Sequence, residues 1–349
     1  MKLIKSIALI LSLMLVMVGC GGKEASYIAT YNDTKIPAGI YLYYMNGNIY
    51  QAATLALDKG KSPLDQNVEG KKGSEWVLEK TKEDILAYIA VEAESERLKI
   101  TLDQETIDSI TGTLNDLWER DGTQYEKKGI SKDSIMKAVL AEQKKAKVLE
   151  AYYGESGEKR ATEEELKQYY QQSYARISQI VVSKTVKKDD QQVPASGDAL
   201  AKIKENANRY FKMLEGGQDF DTVLYTYEKE AAAAEGKEEP KPHEHNDAFG
   251  HDIIVTKGQP YYPEAYITQI FGTEVGKVGL YEDDNMYIVF VRKDLNANPE
   301  DYEKRKSQLG MFMKSEVIDT ELAQAALDMG AALNDSAVTK YDPKSFSKR

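Results

Sequence analysis

The stretch TEEELKQYYQQSYARISQIVV, residues 162–182, marks a change from helical to extended sequence. Thr162 and Glu165 have the three-residue spacing of a capping box, which predicts the start of a helix. After Arg176 the residues become largely β-branched, so residues 177–182 are predicted to form a strand. The chain is therefore predicted to be mostly helical before this stretch and to begin a smaller α/β block after it.

Amphipathic helices are predicted on the N-terminal side of this stretch. They cover about residues 37–56, 75–99, 104–120 and 132–153, and the last three repeat apolar residues at a helical spacing. Residues 59–74 are rich in Gly and Lys and are predicted to be a loop.

The predicted α/β block continues with short elements. Helices are expected at 199–214, 220–227 and 263–271, a strand at 287–291, and polar loops at 184–198 and 229–246. A helical pattern returns at 299–332, and an extended tail follows from residue 338.

This order predicts an α+β fold in which a discontinuous, mostly helical domain contains an inserted small α/β domain. The first part of the helical domain is assigned to 27–170 and the inserted domain to 171–297. A C-terminal helix at 298–335 is expected to return to the helical domain, and 336–349 is expected to be a tail.

The first residues have the pattern of a secretory signal. Lys2 and Lys5 precede an apolar run at 7–18 that is too short to span a bilayer. Small residues then precede Cys20, the only cysteine in the chain. Residues 1–19 are therefore predicted to be a signal peptide and 20–26 a tether. An ordinary secretory signal with a chance cysteine is the alternative.

Composition excludes several classes of protein. One cysteine in 349 residues excludes an intrachain disulfide framework and a cysteine-rich metal site. A net charge of -11 argues against general nucleic-acid binding, which needs clustered Lys and Arg. No cofactor is predicted, and a homodimer is left open.

The order of these segments resembles the PrsA-type and SurA-type foldases, which combine a helical chaperone domain with parvulin-type prolyl isomerase domains. Residues 29–36, 84–93 and 162–170 are similar to the helical domain, and residues 176–182, 217–221, 262–271 and 285–289 to the parvulin block. The end of the signal resembles that of bacterial lipoproteins, which implies that Cys20 is lipidated.

The resemblance implies a function outside the cytoplasm. The chain would be held by its N-terminal lipid on the outer face of a bacterial cell membrane, with a Gram-positive source expected. Its partners would be unfolded or newly secreted polypeptides. A solute-binding lipoprotein is the alternative from another class, but it needs two α/β lobes, and the long helical stretches argue against them.

The resemblance also assigns the positions of the isomerase pocket. The first-strand His falls on Gln179 and the last-strand His on Tyr287, while the Met and Phe positions fall on Tyr261 and Ala265. The family's Asp or Cys position lies within 228–246. Since most pocket residues differ, we predict a chaperone with a degenerate parvulin-like domain, and an active prolyl isomerase is the alternative.

Two further groups of residues each have two interpretations. His243, His245 and His251 could bind a metal ion, but their highly charged surroundings favour a solvated loop, so no metal is predicted. Tyr41, Tyr44 and Tyr50, in a helix that also carries Tyr43, are candidates for client binding, with packing in the core as the alternative.

Overall fold

The structure, a computed structural model, describes residues 27–188, 191–245 and 249–348. The predicted signal peptide (1–19) and tether (20–26), including Cys20, lie outside the described residues. Helices and strands follow one another from residue 27 to residue 346.

The elements are named in chain order. Up to residue 153 they are β1 (Tyr27–Tyr31), β2 (Thr34–Pro37), α1 (Ala38–Leu55), β3 (Asn67–Val68), β4 (Lys71–Lys72), α2 (Gly73–Arg97), α3 (Gln104–Lys127) and α4 (Lys132–Tyr153). Up to residue 315 they are α5 (Glu163–Ser173), β5 (Tyr174–Ser183), β6 (Thr185–Lys188), β7 (Gln191–Pro194), α6 (Gly197–Glu215), α7 (Phe220–Ala234), β8 (Ile253–Thr256), α8 (Glu264–Gly272), β9 (Val278–Glu282), β10 (Met286–Lys293) and α9 (Pro299–Ser315). The last are α10 (Ile318–Asp328), β11 (Ala332–Leu333), α11 (Asp335–Lys340) and α12 (Pro343–Phe346), and short 3-10 helices lie at Pro63–Asp65 and Leu295–Ala297.

The chain divides into two compact units. Of the described residues, the helical unit contains those up to Val148 and those from Val317 onwards, and the α/β unit contains those within Leu149–Glu316. The predicted fold class, an α+β chain with a discontinuous helical part and an inserted α/β part, is confirmed.

The sequence predicted unit boundaries after residues 170 and 297, whereas the observed boundaries follow Val148 and Glu316. α5 and α9 pack together around Leu166, Tyr170, Tyr302 and Leu309, so both helices belong to the α/β unit. The capping box that begins α5 is confirmed, with the Thr162 hydroxyl accepting from the Glu165 amide and the Glu165 carboxylate accepting from the Thr162 amide.

The core of the helical unit is built around α2. This helix packs against α1 and α10, and Val77, Ile85 and Ile89 are buried. A small antiparallel sheet of order β11-β1-β2 places Ala29 opposite Leu333. The early and late parts of the chain are therefore joined in one unit by backbone hydrogen bonds.

The α/β unit contains an antiparallel sheet of order β8-β5-β10-β9. α6 and α7 cover the face that carries Ile180 and Val289. α8 covers the other face, which carries Ile177, Ile288 and Phe290. Because side chains alternate between the two faces of a strand, the register of β5 with β10 decides which residues share a face.

Several local predictions are wrong. Residues 184–198, predicted to be a loop, contain the hairpin β6–β7. The loop predicted at 229–246 begins as helix, because α7 continues through the four alanines that end at Ala234, and alanine has the highest helix propensity. The single helix predicted at 299–332 is two helices, α9 and α10, that lie in different units.

The tail predicted at 336–349 is also wrong for its described part. Asn334 and Asp342 accept hydrogen bonds from backbone amides at the starts of α11 and α12. Tyr341 and Phe346 are buried, which holds this segment in the core of the helical unit.

Candidate functional site

Gln179 is bound on both sides of its amide by tyrosines near α8. The Tyr266 hydroxyl donates to its side-chain oxygen at 2.7 Å, and its side-chain nitrogen donates to the Tyr262 hydroxyl at 3.1 Å. Tyr266 is fully buried, and burial raises the pKa of its hydroxyl, which stays a neutral donor. The hydrogen-bonding capacity of the Gln179 amide is thus used largely within the unit.

Tyr287 lies on the other face of the sheet. Its position in β10 is opposite Val182, whereas Gln179 is opposite Phe290, and directly paired residues share a face. Tyr287 is 2% exposed and packs with Tyr210 under α6, and the Lys184 ammonium lies 4.3 Å from the centre of its ring.

The other two pocket positions point to solvent. Tyr261 is 86% exposed, and Ala265, in the first turn of α8, is also exposed. The four positions assigned by the resemblance, Gln179, Tyr261, Ala265 and Tyr287, therefore do not form one pocket. This corrects the site expected from the sequence, because Tyr287 is separated from Gln179 by the sheet itself.

The tyrosines of α1 have different environments. Tyr41 is fully buried, so its assignment as a client-binding residue is corrected to a core residue. Tyr44 is partly buried, and burial followed by the charge of Glu142 raises the pKa of its hydroxyl. Tyr50 is 67% exposed and is the member of the predicted set that can contact a partner.

Tyr50 belongs to an aromatic surface that the sequence analysis did not assemble. Trp118 and Tyr125 of α3 stack with their ring centres 6.4 Å apart and an angle of 11° between the planes. Burial, then the nearby Asp121 and Tyr50, raises the pKa of the Tyr125 hydroxyl. Burial and then Tyr125 likewise raise the pKa of Tyr43. We call Tyr43, Tyr50, Trp118 and Tyr125 the aromatic patch.

A seven-residue spacing is the sequence signal for this patch. Tyr43 and Tyr50 are seven residues apart on α1, and Trp118 and Tyr125 are seven apart on α3. Seven residues are close to two helical turns, so each pair lies on one side of its helix. That α1 and α3 bring the two pairs together could not be read from the spacing.

α3 supplies further apolar surface in the helical unit. Only Leu114 and Gly122 of its 24 residues are buried, and Ile107, Ile110 and Leu117 are partly exposed. Leu57, just beyond the end of α1, is 95% exposed. Apolar side chains left open in this way are typical of interaction surfaces.

The three histidines come together in the α/β unit. The ring centre of His251 lies 4.5 Å from that of His243 and 4.2 Å from that of His245. Burial, then the neighbouring His245, lowers the pKa of the His251 ring. His243 and His245 lie on an exposed loop, as the sequence predicted, but their rings and that of His251 pack together.

Lipidation of Cys20 stays a prediction, since Cys20 lies outside the described residues. Among the residues that the structure describes, no helix is both long enough and apolar enough to span a membrane.

Comparison with known proteins gives matches only among solved structures. No family model matches the chain, and no curated protein matches it. The chain is similar to the foldase protein PrsA from Streptococcus pneumoniae, with 11% identity and a TM-score of 0.35 over 75% of this chain and 92% of that chain. The chain is also similar to the foldase protein PrsA from Lactococcus lactis, with 14% identity and a TM-score of 0.33 over 90% of this chain and 96% of that chain.

A third solved structure is named as a peptidylprolyl isomerase. It is PrsA from Bacillus cereus, with 14% identity and a TM-score of 0.28 over 76% of this chain and 88% of that chain. The chain is thus similar to PrsA foldases, as the sequence predicted.

Proposed function

We propose that this chain is a lipid-anchored foldase of the chaperone type that binds unfolded secreted polypeptides outside the cytoplasm. The observation that carries the proposal is the aromatic patch, which combines the stacked rings of Trp118 and Tyr125 with the exposed Tyr50, a residue near enough to raise the pKa of Tyr125. Aromatic rings provide large contact areas at little conformational cost, and they contact many different sequences. This suits a protein whose clients share exposed apolar segments and little else.

Other exposed apolar residues of the helical unit support the same function. The partly exposed apolar residues of α3 and the exposed Leu57 add apolar surface to that of the patch. An unfolded segment that covered them would remove apolar area from water, which is favourable by about 25 cal/mol per Å². Such binding would delay client aggregation without requiring a particular client sequence.

Client binding can be tested with the double variant Tyr50→Ser/Leu57→Ser. The full chain in mild detergent should suppress the light scattering of a thermally unfolding reporter enzyme. We expect the variant to bind the unfolded reporter about fivefold to tenfold more weakly. This corresponds to a loss of about 1 kcal/mol of binding free energy at an interface.

The matched control is Tyr261→Ser, because Tyr261 is even more exposed than Tyr50 but lies in the α/β unit. It should suppress scattering as well as the unaltered chain does. Equal suppression by the unaltered chain and the double variant would remove the patch from the proposal.

The membrane anchor is the second part of the proposed function. We expect Cys20→Ser to release the protein from the membrane fraction and to abolish its labelling by a radioactive fatty acid in bacterial cells. The control is Ser26→Ala, a change within the predicted tether that leaves Cys20 in place. Membrane retention of an unlabelled Cys20→Ser chain would contradict lipid anchoring.

We assign the α/β unit a binding or spacer role. The side-chain amide of Gln179 is engaged by two tyrosines, and the exposed Tyr261 and Ala265 provide no enclosed wall for a proline ring. The alternative of a solute-binding lipoprotein would be supported by a strong, selective thermal shift with one member of a metabolite panel.

A further inference from the structure

Asp221, His245 and His251 present their ligand atoms to one point in the α/β unit. These atoms all lie within 4.8 Å of one another. Nε2 of His245 is 3.5 Å from one carboxylate oxygen of Asp221, and Nε2 of His251 is 3.8 Å from the other. The three residues come from the first turn of α7 and from the chain that leads to β8.

These separations approach those of a metal coordination shell. Tetrahedral ligands bound at about 2.0–2.1 Å from zinc lie about 3.3–3.4 Å from each other. The two separations given above exceed this by only a few tenths of an ångström. Small rotations of the side chains would therefore complete the shell without movement of the backbone.

Nε2 of His251 is a buried polar atom with no hydrogen-bond partner. Buried nitrogen atoms usually have a partner, and one without a partner requires an explanation. The atom faces Asp221 at 3.8 Å, which is too long for a hydrogen bond but leaves room for a bridging ion.

The backbone around the cluster favours the observed positions of the rings. At Gly250 a Cβ atom would lie 2.0 Å from Nδ1 of His245, so glycine is what allows this ring to pack there. Asp252, next to His251, accepts from the Ser178 hydroxyl at 2.6 Å and pairs with the buried Arg176. His251 therefore directly precedes a residue that is fixed to the sheet.

His243 has a different position. Its Nε2 atom lies 2.6 Å from a Glu228 carboxylate oxygen, and its ring packs edge-on against that of His251. It is thus a positioning residue, which supports the ring of His251. The cleft beside the cluster has a volume of about 290 Å³ and is also lined by Ser178, Asp252 and Lys293.

We propose that Asp221, His245 and His251 form a site for one divalent transition-metal ion of the zinc class. Two imidazoles and a carboxylate are ligands that zinc commonly takes, and the fourth position is left to water. The bound ion would fix the start of α7 to the chain before β8. This differs from the sequence-based expectation of no metal, which rested on the highly charged surroundings of the three histidines.

The test uses the full chain with Cys20→Ser, which removes the only thiol as a competing ligand. Equilibrium dialysis against Zn²⁺, with the metal measured by atomic emission, should give one ion per chain. In the same background, His245→Ala and His251→Ala should each weaken binding by more than about 100-fold, and His243→Ala by about 10-fold, as is usual for residues behind the ligands. Circular dichroism of each variant checks that it is folded.

The visible spectrum of bound Co²⁺ separates ligands from supporting residues. His243→Ala should keep the spectrum of the unaltered site, whereas Asp221→Asn should change it, because a carboxylate ligand is lost. The proposal is overturned if Zn²⁺ binds no more tightly than about 1 mM. It is also overturned if the His245→Ala and His251→Ala variants bind Zn²⁺ as tightly as the unaltered site does. The histidine rings would then pack against each other without binding a metal ion.

Discussion

Gln179 and Tyr287 lie on opposite faces of one antiparallel sheet, because Gln179 pairs with Phe290 and Tyr287 pairs with Val182. The Gln179 side chain meets Tyr262 and Tyr266 near α8, whereas Tyr287 packs in the cluster formed with α6 and α7. A twisting X–Pro amide could not contact both side chains at once. Any pocket on the α8 face must be built without Tyr287.

The first prediction concerns prolyl isomerisation. We expect the full chain not to accelerate cis–trans conversion of a proline tetrapeptide, a reaction that takes tens to hundreds of seconds without a catalyst. The variants Gln179→Ala and Tyr287→Phe should give the same rates as the unaltered chain. Acceleration by the unaltered chain that is lost in both variants would instead support an active isomerase.

Gln179→Ala should nevertheless have a structural effect, which makes it a useful control. The buried Tyr266 hydroxyl would lose its acceptor, and an unsatisfied buried group costs about 1–3 kcal/mol. The variant should therefore unfold at lower temperature, while its rate in the isomerase assay stays unchanged.

Local features were predictable from the sequence, whereas pairings across the chain were not. The Thr162–Glu165 capping box needs only residues three apart, and α4 was predicted with its observed ends. The faces of Gln179 and Tyr287 depend on the register between β5 and β10, and a shift of one residue exchanges the faces. The convergence of Asp221 with His245 and His251 likewise depends on tertiary packing.

The second prediction concerns Asp84, a mostly buried carboxyl in the helical unit. Burial raises its pKa from 3.8 to about 6, although a hydrogen bond from Asn48, at 2.6 Å, and the nearby Lys80 act in the opposite direction. Between about pH 4 and pH 6 the folded state therefore keeps a proton that the unfolded state has lost. Stability should fall as the pH rises through this window, by about 3 kcal/mol for a difference of about two pKa units.

The variant Asp84→Asn tests this dependence. The neutral amide should remove the fall between pH 4 and pH 6, so that the variant is more stable than the unaltered chain at pH 7. Urea unfolding at several pH values measures the free energy of unfolding of each variant. The control is Asp116→Asn, at an exposed position of α3. An unchanged pH slope in Asp84→Asn would exclude Asp84 as its source.

The third prediction concerns the buried Arg176. Its side chain is 3% exposed and pairs with Asp252 and Asp301, whose side chains are 9% and 17% exposed. Arg176→Met should destabilise the α/β unit by about 3–5 kcal/mol, because it leaves two largely buried carboxylates without their main partner. Hydrogen exchange of the β5 amides measures the stability of this unit by itself.

The surface pair Lys304–Glu300 provides the comparison for Arg176. These side chains are 67% and 76% exposed, so Lys304→Met should change stability by less than about 1 kcal/mol. Similar exchange protection in Arg176→Met and Lys304→Met would mean that the Arg176 ion pairs contribute little.

The fourth prediction compares two glycines in helices of the helical unit. At Gly73, the first residue of α2, a Cβ atom would lie 2.0 Å from the Pro63 carbonyl oxygen, and the backbone of Leu64 is also close. Gly112 lies in α3, and apart from the backbone of its own helix nothing lies within 4 Å of the corresponding position. Gly112→Ala should therefore stabilise the chain by about 0.5–1 kcal/mol through helix propensity. Gly73→Ala should destabilise it by about 1–3 kcal/mol, because the gain is outweighed by a backbone clash. Thermal unfolding of both variants measures the difference, and stabilisation by Gly73→Ala would show that the segment around Pro63 can move away from α2.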